Sequence, residues 1–271
     1  MKELSYLEEL ENRTIFIIRE AYWQYREKLA LLWSCGKDST TLLYLVRKAF
    51  LGDIPIPVIH IDTSFKFKEI YEFRDKWVKR WRVNLIVAKN DLALKEGISP
   101  EKGRFTCCNL LKTEALKETI KKYGFEALFL AIRRDEHAIR AKERIWSPRD
   151  GDFRWNYQNQ PLEMWEEFYK TKEEKEKHFR IHPMLSWREI DIWRYIKKEK
   201  IPVINLYFAK NGKRYRSIGC KPCCEPINSY ANTIDKIIKE IEETKIAERS
   251  GRAQDKEKAY MMQKLRALGY M

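Results

Sequence analysis

The feature that most constrains this chain is a five-residue apolar run, Leu29-Ala30-Leu31-Leu32-Trp33. It is followed at once by Ser34-Cys35-Gly36-Lys37-Asp38-Ser39 and then by a helical pattern from Thr40 to Phe50. An uninterrupted apolar run of this length suits a strand covered on both faces, as in a parallel sheet. A polar turn opening directly into a helix gathers main-chain N–H groups, the Ser34 and Ser39 hydroxyls and the positive end of the helix dipole. That is an anion site. Gly36 allows close backbone approach to a ligand, and Lys37 adds a mobile point charge for phosphate oxygens. The spacing is not GxxxxGK followed by Ser or Thr, so this is not a Walker A loop.

Further strands follow in the same rhythm. Pro57-Val58-Ile59-His60-Ile61, Asn84-Leu85-Ile86-Val87 and Ala127-Leu128-Phe129-Leu130-Ala131 alternate with helical segments around Tyr71–Phe73 and Leu110–Tyr123, and residues 4–26 read as a helix. Strands alternating with helices predict an α/β fold, a doubly wound and mainly parallel sheet with helices on both faces. Residues 1–132 then form a nucleotide-binding core with an N-terminal helix. Residues 133–271 form an anion-binding segment, a cysteine loop and a helical C-terminal region packed on that core. Within this second part, 133–180 shows little strand signal and is expected to lie as an irregular segment over the sheet's C-terminal edge, and Trp187 to Lys198 reads as a helix.

Ligands of such sheets bind at the carboxyl ends of the strands. Asp62 and Thr63 end the second strand beside the first loop, where a ligand is expected; His60 is expected to pack within the strand. Arg133 and Arg134 end the fourth strand, and their guanidinium forks match tetrahedral oxyanions. Glu136 and Arg140 are spaced for an i,i+4 ion pair, and from Lys142 onward a solvated helix is expected.

The 271 residues carry 54 Lys and Arg against 40 Asp and Glu, a formal charge of +14. That excess points to a polyanionic partner: nucleotide, phosphate, sulfate or nucleic acid. The basic runs are interleaved with Glu, which weighs against a dedicated nucleic-acid surface. No stretch reaches the roughly 18–20 apolar residues of a membrane span, and the N-terminus lacks a basic-then-apolar signal, so a soluble cytoplasmic protein is expected. Five of six cysteines fall in two tight groups, Cys107-Cys108 and Cys220-x-x-Cys223-Cys224. In a reducing compartment clustered thiolates read as metal ligands. Four thiolates from Cys107, Cys108, Cys220 and Cys223 suit a 4Fe–4S cluster or a structural zinc. Adjacent cysteines on a helix point in different directions, which favours the bulkier cluster. Cys224 is then spare, and Cys35 fills a small loop position.

Ser34-x-Gly36-Lys37-Asp38-Ser39, His60-Ile61-Asp62-Thr63, Lys66-Phe67-x-Glu69-x-Tyr71-Glu72-Phe73-Arg74 and Ala131-x-Arg133-Arg134-Asp135-Glu136 resemble the small, adenylylating subunit of bacterial ATP sulfurylase, a branch of the PP-loop superfamily. The resemblance continues through Arg140–Arg144, Trp187-x-x-x-Asp191-Ile192-Trp193 and Glu248-Arg249-x-Gly251-Arg252-x-x-Asp255, and covers essentially the whole chain. It implies an adenine-nucleotide α-hydrolase-like fold that cleaves ATP between its α and β phosphates, with sulfate as acceptor and adenylyl sulfate and pyrophosphate as products. Ser34, Gly36, Lys37, Asp38 and Ser39 would hold pyrophosphate, Asp62 would lie near the nucleotide, and Lys37, Arg133 and Arg134 would act on the transferring group and sulfate. Mg²⁺ on the phosphates and a GTPase large subunit are implied as well; a homo-oligomer is left open.

Two departures stand out. The CC…CxxC group resembles the cluster motif of adenylylsulfate reductases, which the sulfurylase subunit ordinarily lacks. The C-terminal nucleophilic cysteine of those reductases has no counterpart here, since the last cysteine is Cys224. The alternatives are therefore an iron–sulfur PP-loop sulfurtransferase acting on nucleic acid, or a reductase-like protein. The short segment between Tyr207 and Arg216 bears on the contact with a large subunit.

Overall fold

A computed structural model describes residues 5–160, 178–252 and 261–269. A helix α1 (Tyr6–Tyr25) opens on Ser5, whose backbone N–H and hydroxyl both donate to the Glu8 carboxylate at 2.8 and 2.7 Å. Then come β1 (Leu29–Leu32), α2 (Lys37–Ala49), β2 (Val58–Ile61), α3 (Lys68–Trp81) and β3 (Leu85–Ala88). After the short α4 (Asp91–Lys95) and α5 (Arg104–Cys108), a π-helical stretch Asn109–Glu114 leads into α6 (Ala115–Tyr123) and β4 (Ala127–Phe129). All residues of β1, β2 and β4 are buried, as their apolar composition requires.

Two more strands follow, β5 (Trp146–Arg149) and β6 (His178–Ile181). The six strands lie in the order β3-β2-β1-β4-β6-β5, parallel except for the β5–β6 pair. The chain thus winds outward from β1 in both directions, which makes the sheet doubly wound. Right-handed crossovers then send α2 and α3 to one face and α6 to the other. The switch in direction falls between β1 and β4, and the ends of these two strands open a crevice there.

The expectation of an irregular 133–180 is corrected here: β5 and β6 join the sheet beyond residue 132. Their polar sequence hid them, because one face of the hairpin carries Ser147, Arg149, His178 and Arg180, all buried. The solvated helix expected after Lys142 is likewise absent, since Glu143 is fully buried and β5 starts three residues later.

The last part holds α7 (Glu189–Glu199), a two-stranded ribbon of β7 (Lys213–Arg214) and β8 (Ile227–Asn228), α8 (Ile234–Glu243) and α9 (Met261–Ala267). Helix α1 packs on α2, α2 on α7, and α7 on α8. The Glu248–Gly251 turn returns to the crevice. Asp255, expected as part of a C-terminal motif, lies outside the described residues. No described helix is long and apolar enough to cross a membrane.

Candidate active site

The β1–α2 turn is held in shape before any ligand arrives. The Ser34 N–H donates to Ser39 Oγ at 3.2 Å, the two serine hydroxyls lie 3.0 Å apart, and Ser39 Oγ also donates to the Gly36 carbonyl at 3.2 Å. Cys35 takes a left-handed φ of 64° and tucks its thiol 3.7 Å from His60 Nδ1. His60 packs inside the sheet as expected, with Nδ1 2.9 Å from the Trp33 carbonyl oxygen; burial pushes its pKa down to about 3, so it stays neutral. Gly36 caps α2, and a Cβ there would stand 3.4 Å from both Ser34 Oγ and Tyr207 Oη. Tyr207 earns its place by accepting the Lys37 N–H at 2.9 Å.

The crevice beyond this turn is a cleft of about 130 Å³. Six cations line it, Lys37, Lys66, Lys112, Arg140, Arg249 and Arg252, against two carboxylates, Asp38 and Glu136. Ser34, Gly36 and Ser39 form its floor with Ala131 and Ile132 from the end of β4, and Ser217–Gly219 form part of its rim. Glu136 is tied to Arg140 and, at 2.9 Å, to Arg249. Although burial opposes ionisation, the Arg140 and Arg249 guanidinium groups beside it hold its carboxyl well below the usual range. The i,i+4 pair expected on a helix surface is thus formed inside the cleft, on consecutive 3-10 turns.

The two arginines expected to face an oxyanion do not line this cleft. Arg133 is fully buried, and its guanidinium donates to Asp38, to Glu248 and, at 3.0 Å, to Asp135. A guanidinium with no access to water needs such partners, so Arg133 acts as a brace beneath the anion loop. Arg134 is exposed and reaches Ser186 Oγ at 3.3 Å. Asp62 sits at the end of β2, half-exposed, accepting the Tyr71 hydroxyl at 2.7 Å and the Ser64 N–H at 2.8 Å, outside the cleft lining. Lys37 lies on the cleft wall but is 1% exposed, its ammonium bound to Glu248 and, at 3.0 Å, to Asp38.

Lys66, Lys112, Arg249 and Arg252 are cleft residues that the sequence does not mark individually. Lys66 and the Glu248–Arg252 run stood in motifs without a role; Lys112 and Tyr207 carried no local signal. Gly219 explains how Arg252 enters the cleft, because a Cβ at residue 219 would overlap the guanidinium and lie 2.7 Å from Cζ.

The two cysteine groups, more than a hundred residues apart in the chain, meet beside the same cleft. Residues 220–221 are stitched to the β2–α3 loop by a Lys66–Cys220 bridge and by the Lys221 N–H donating to the Phe65 carbonyl at 2.8 Å. None of the six thiols is in a disulfide, and all are buried. Burial and the neighbouring Cys108, Cys220 and Cys223 push the Cys107 thiol up to about 12. Burial also raises Cys220, but Lys112, Lys66, Thr63 Oγ1 at 3.1 Å and Arg252 outweigh it and bring its pKa down to about 7. The Cys224 sulfur accepts the Gly219 N–H at 3.1 Å and Arg252 Nη1 at 2.8 Å. Among the described residues, no group of three or more His, Cys, Asp or Glu side chains stands in metal-binding geometry.

Residues 28–226 match the phosphoadenosine phosphosulfate reductase domain family. A protein of Psychromonas ingrahamii called sulfate adenylyltransferase subunit 2 is 39% identical, over 98% of this chain and 98% of that relative. A Pseudomonas aeruginosa protein of the same name is 38% identical over 99% of each. Among solved structures, the phosphoadenylyl-sulfate reductase of Candida auris in a phosphate complex superposes with a TM-score of 0.57 at 18% identity, over 83% of this chain and 99% of its own. The FMN adenylyltransferase of Candida glabrata in complex with ATP gives 0.58 at 17% identity, over 83% and 67%. These two likenesses establish the shared fold. The chain belongs to the phosphoadenosine phosphosulfate reductase domain family and, within it, to the sulfate adenylyltransferase subunit 2 proteins.

Proposed function

We propose that the protein transfers the adenylyl group of ATP to sulfate, giving adenylyl sulfate and pyrophosphate. The observation that carries this reading is the cleft at the β1–β4 switch point, where six cations outnumber two carboxylates over a preformed anion loop. A sulfate oxygen attacks the α-phosphorus, the bond from that phosphorus to the αβ-bridging oxygen breaks, and pyrophosphate leaves with the electron pair. Sulfate is already a dianion, so no base is needed. Catalysis then rests on positioning two anions against each other and on stabilising the charge that builds on the leaving group. The Ser34–Ser39 turn and Lys37 hold the pyrophosphate end. Lys66, Lys112, Arg140, Arg249 and Arg252 divide the α-phosphoryl and sulfate oxygens among them, a role the sequence reading gave to Arg133 and Arg134. Mg²⁺ enters on the phosphates of ATP. A large subunit is the expected partner, since the relatives are named subunit 2 of a sulfate adenylyltransferase.

Cys107, Cys108, Cys220 and Cys223 fit a 4Fe–4S cluster by their donor chemistry: four buried thiols close enough to perturb one another, faced by Lys66, Lys112 and Arg252. Bound there, such a cluster would add a compact, electron-rich group beside the cleft and tie the 220–224 loop to the end of α5. This cysteine group also favours a second reading, a PP-loop protein that hands sulfur to an adenylylated acceptor.

The test is to incubate the protein with ATP, sulfate and a GTPase partner with GTP, and to identify the AMP-containing product by mass. Sulfate-dependent pyrophosphate release with formation of adenylyl sulfate is expected. Release indifferent to sulfate would overturn the first reading, and an adenylylated nucleic acid would establish the second.

A further inference from the structure

The β5–β6 hairpin carries a second concentration of positive charge, away from the cleft. In the antiparallel register Ser147 stands opposite Arg180 and Arg149 opposite His178, so all four share one face. Arg266 of α9 and Glu143 close over that face. Arg149 and Arg180 are 2% exposed, His178 and Arg266 1%, and Glu143 not at all. None of these residues lines the cleft described above.

One guanidinium on this face has no hydrogen-bond partner at its fork. Glu143 accepts Arg266, the Ser147 hydroxyl at 2.6 Å and Arg149 Nη2 at 3.3 Å. Among the described residues it is the one buried carboxylate bonded to Arg149 and Arg266, and it makes no hydrogen bond to Arg180. Arg180 is the residue left over: neither Nη1 nor Nη2 has a hydrogen-bond partner, and neither ring nitrogen of His178 has one. Burial together with Arg180 and Arg149 pushes the pKa of His178 well down, so it is neutral and offers one N–H. Buried charged donors without acceptors are rare because water has been removed and nothing has replaced it. Burial and Arg149 already pull the Arg180 guanidinium down to about 9.

We propose that Arg149, Arg180 and His178 form a site for a small tetrahedral oxyanion, sulfate or hydrogen phosphate, distinct from the ATP cleft. Its negative charge offsets that of Arg180, and the parallel N–H groups of the Arg180 fork match two oxygens of a tetrahedral anion. The ion would pin the hairpin to α9 through the neighbouring Glu143–Arg266 pair. Its binding is therefore read as stability, and it does not depend on whether the cleft performs adenylyl transfer.

The experiment uses the full chain prepared without sulfate or phosphate. Crystals soaked in selenate and measured at the selenium edge should give one anomalous peak within contact distance of Arg180 Nη1 and Nη2. In parallel, the melting temperature should rise with the logarithm of sulfate or phosphate concentration. It should still do so in Lys37→Ala, and in Arg180→Met the rise should be smaller than in the wild type by the share this site contributes, the remainder coming from the cleft. Without oxyanion, Arg180→Met should melt no lower than the wild type, because it removes an uncompensated buried charge; added sulfate should reverse that order. A response to only one of the two anions identifies the ion and supports the site. A chain carboxylate found against Arg180, or an identical sulfate response in wild type and Arg180→Met, overturns it. Should Arg180→Met fail to fold, the selenium map of the wild type decides: no peak at Arg180 refutes the proposal.

Discussion

Glu248 holds the ammonium of Lys37 across 211 positions of sequence, and its other carboxylate oxygen takes the Arg133 guanidinium. A single carboxylate thereby joins the start of α2, the end of β4 and the C-terminal turn that delivers Arg249 and Arg252 to the cleft. Burial alone would keep Glu248 protonated, but Arg133 and Lys37 hold its pKa below the usual carboxylate range.

Replacing Glu248 by Gln keeps the shape and removes the charge, which leaves two buried cations short of a counterion. Breaking a buried pair on one side costs about 3–5 kcal/mol. Urea unfolding of the ligand-free Glu248→Gln chain should show a loss of about that size, partly restored by ATP or pyrophosphate, whose phosphates bring the missing negative charge. An unfolding curve superimposable on the wild type would show that the bridge carries no weight.

Lys37→Met removes the charge that the proposed mechanism sets against the leaving pyrophosphate. Deleting one such stabilising group typically lowers turnover about 100-fold to 1000-fold. Sulfate-dependent pyrophosphate release should fall by that order, alongside an unfolding measurement to separate catalysis from folding. Full activity in Lys37→Met would remove the lysine from the reaction.

The Lys37 environment also shows where sequence reasoning stops. The turn Ser34–Ser39 is legible because its chemistry is local: a buried strand, a glycine, two hydroxyls and a helix start lie within six residues. The doubly wound sheet is legible for the same reason, strand by strand. The partners of Lys37 are not local, since Tyr207 and Glu248 arrive from the far end of the chain. Nothing in the run Ala131–Arg134 indicates that Arg133 turns inward to three carboxylates, and the cleft cations come instead from Lys66, Lys112 and the 249–252 turn. Strands β5 and β6 escaped for a different reason: hydrophobic pattern is the signal for a strand, and here the buried face is made of arginine and histidine.

The cysteines offer a contrast between neighbours. Cys220 lies among Lys112, Lys66 and Arg252 and belongs to the four proposed cluster ligands, whereas Cys224 is engaged by Gly219 and Arg252. Anaerobically purified wild type should be brown, Cys220→Ser should lose iron and visible absorption, and Cys224→Ser should keep both while loosening the 219–224 loop. Iron analysis and absorption spectra check this. A colourless wild type carrying one zinc would replace the cluster with a structural zinc and leave the adenylyl-transfer reading untouched.

Three of the four histidines set the response to acid. His60, at about 3, and His182, at about 4, are lowered by burial, and His178 is lowered well below its ordinary value by burial and two arginines. In the unfolded chain each titrates near its ordinary pKa of about 6.5. Above that value all three are neutral in both states and folding is insensitive to them. Below it the unfolded chain binds protons that the native chain refuses, so stability falls as pH drops from about 6.5 toward the folded values. With three protons at stake the slope approaches about 4 kcal/mol per pH unit, and most of it precedes the titration of Glu136 and Glu143, whose carboxyls are held low by arginines. Urea midpoints measured between pH 6.5 and 4.5 should fall steeply, and His60→Gln should remove about one third of the slope. A flat profile across that window would mean that these imidazoles can be protonated in the native fold.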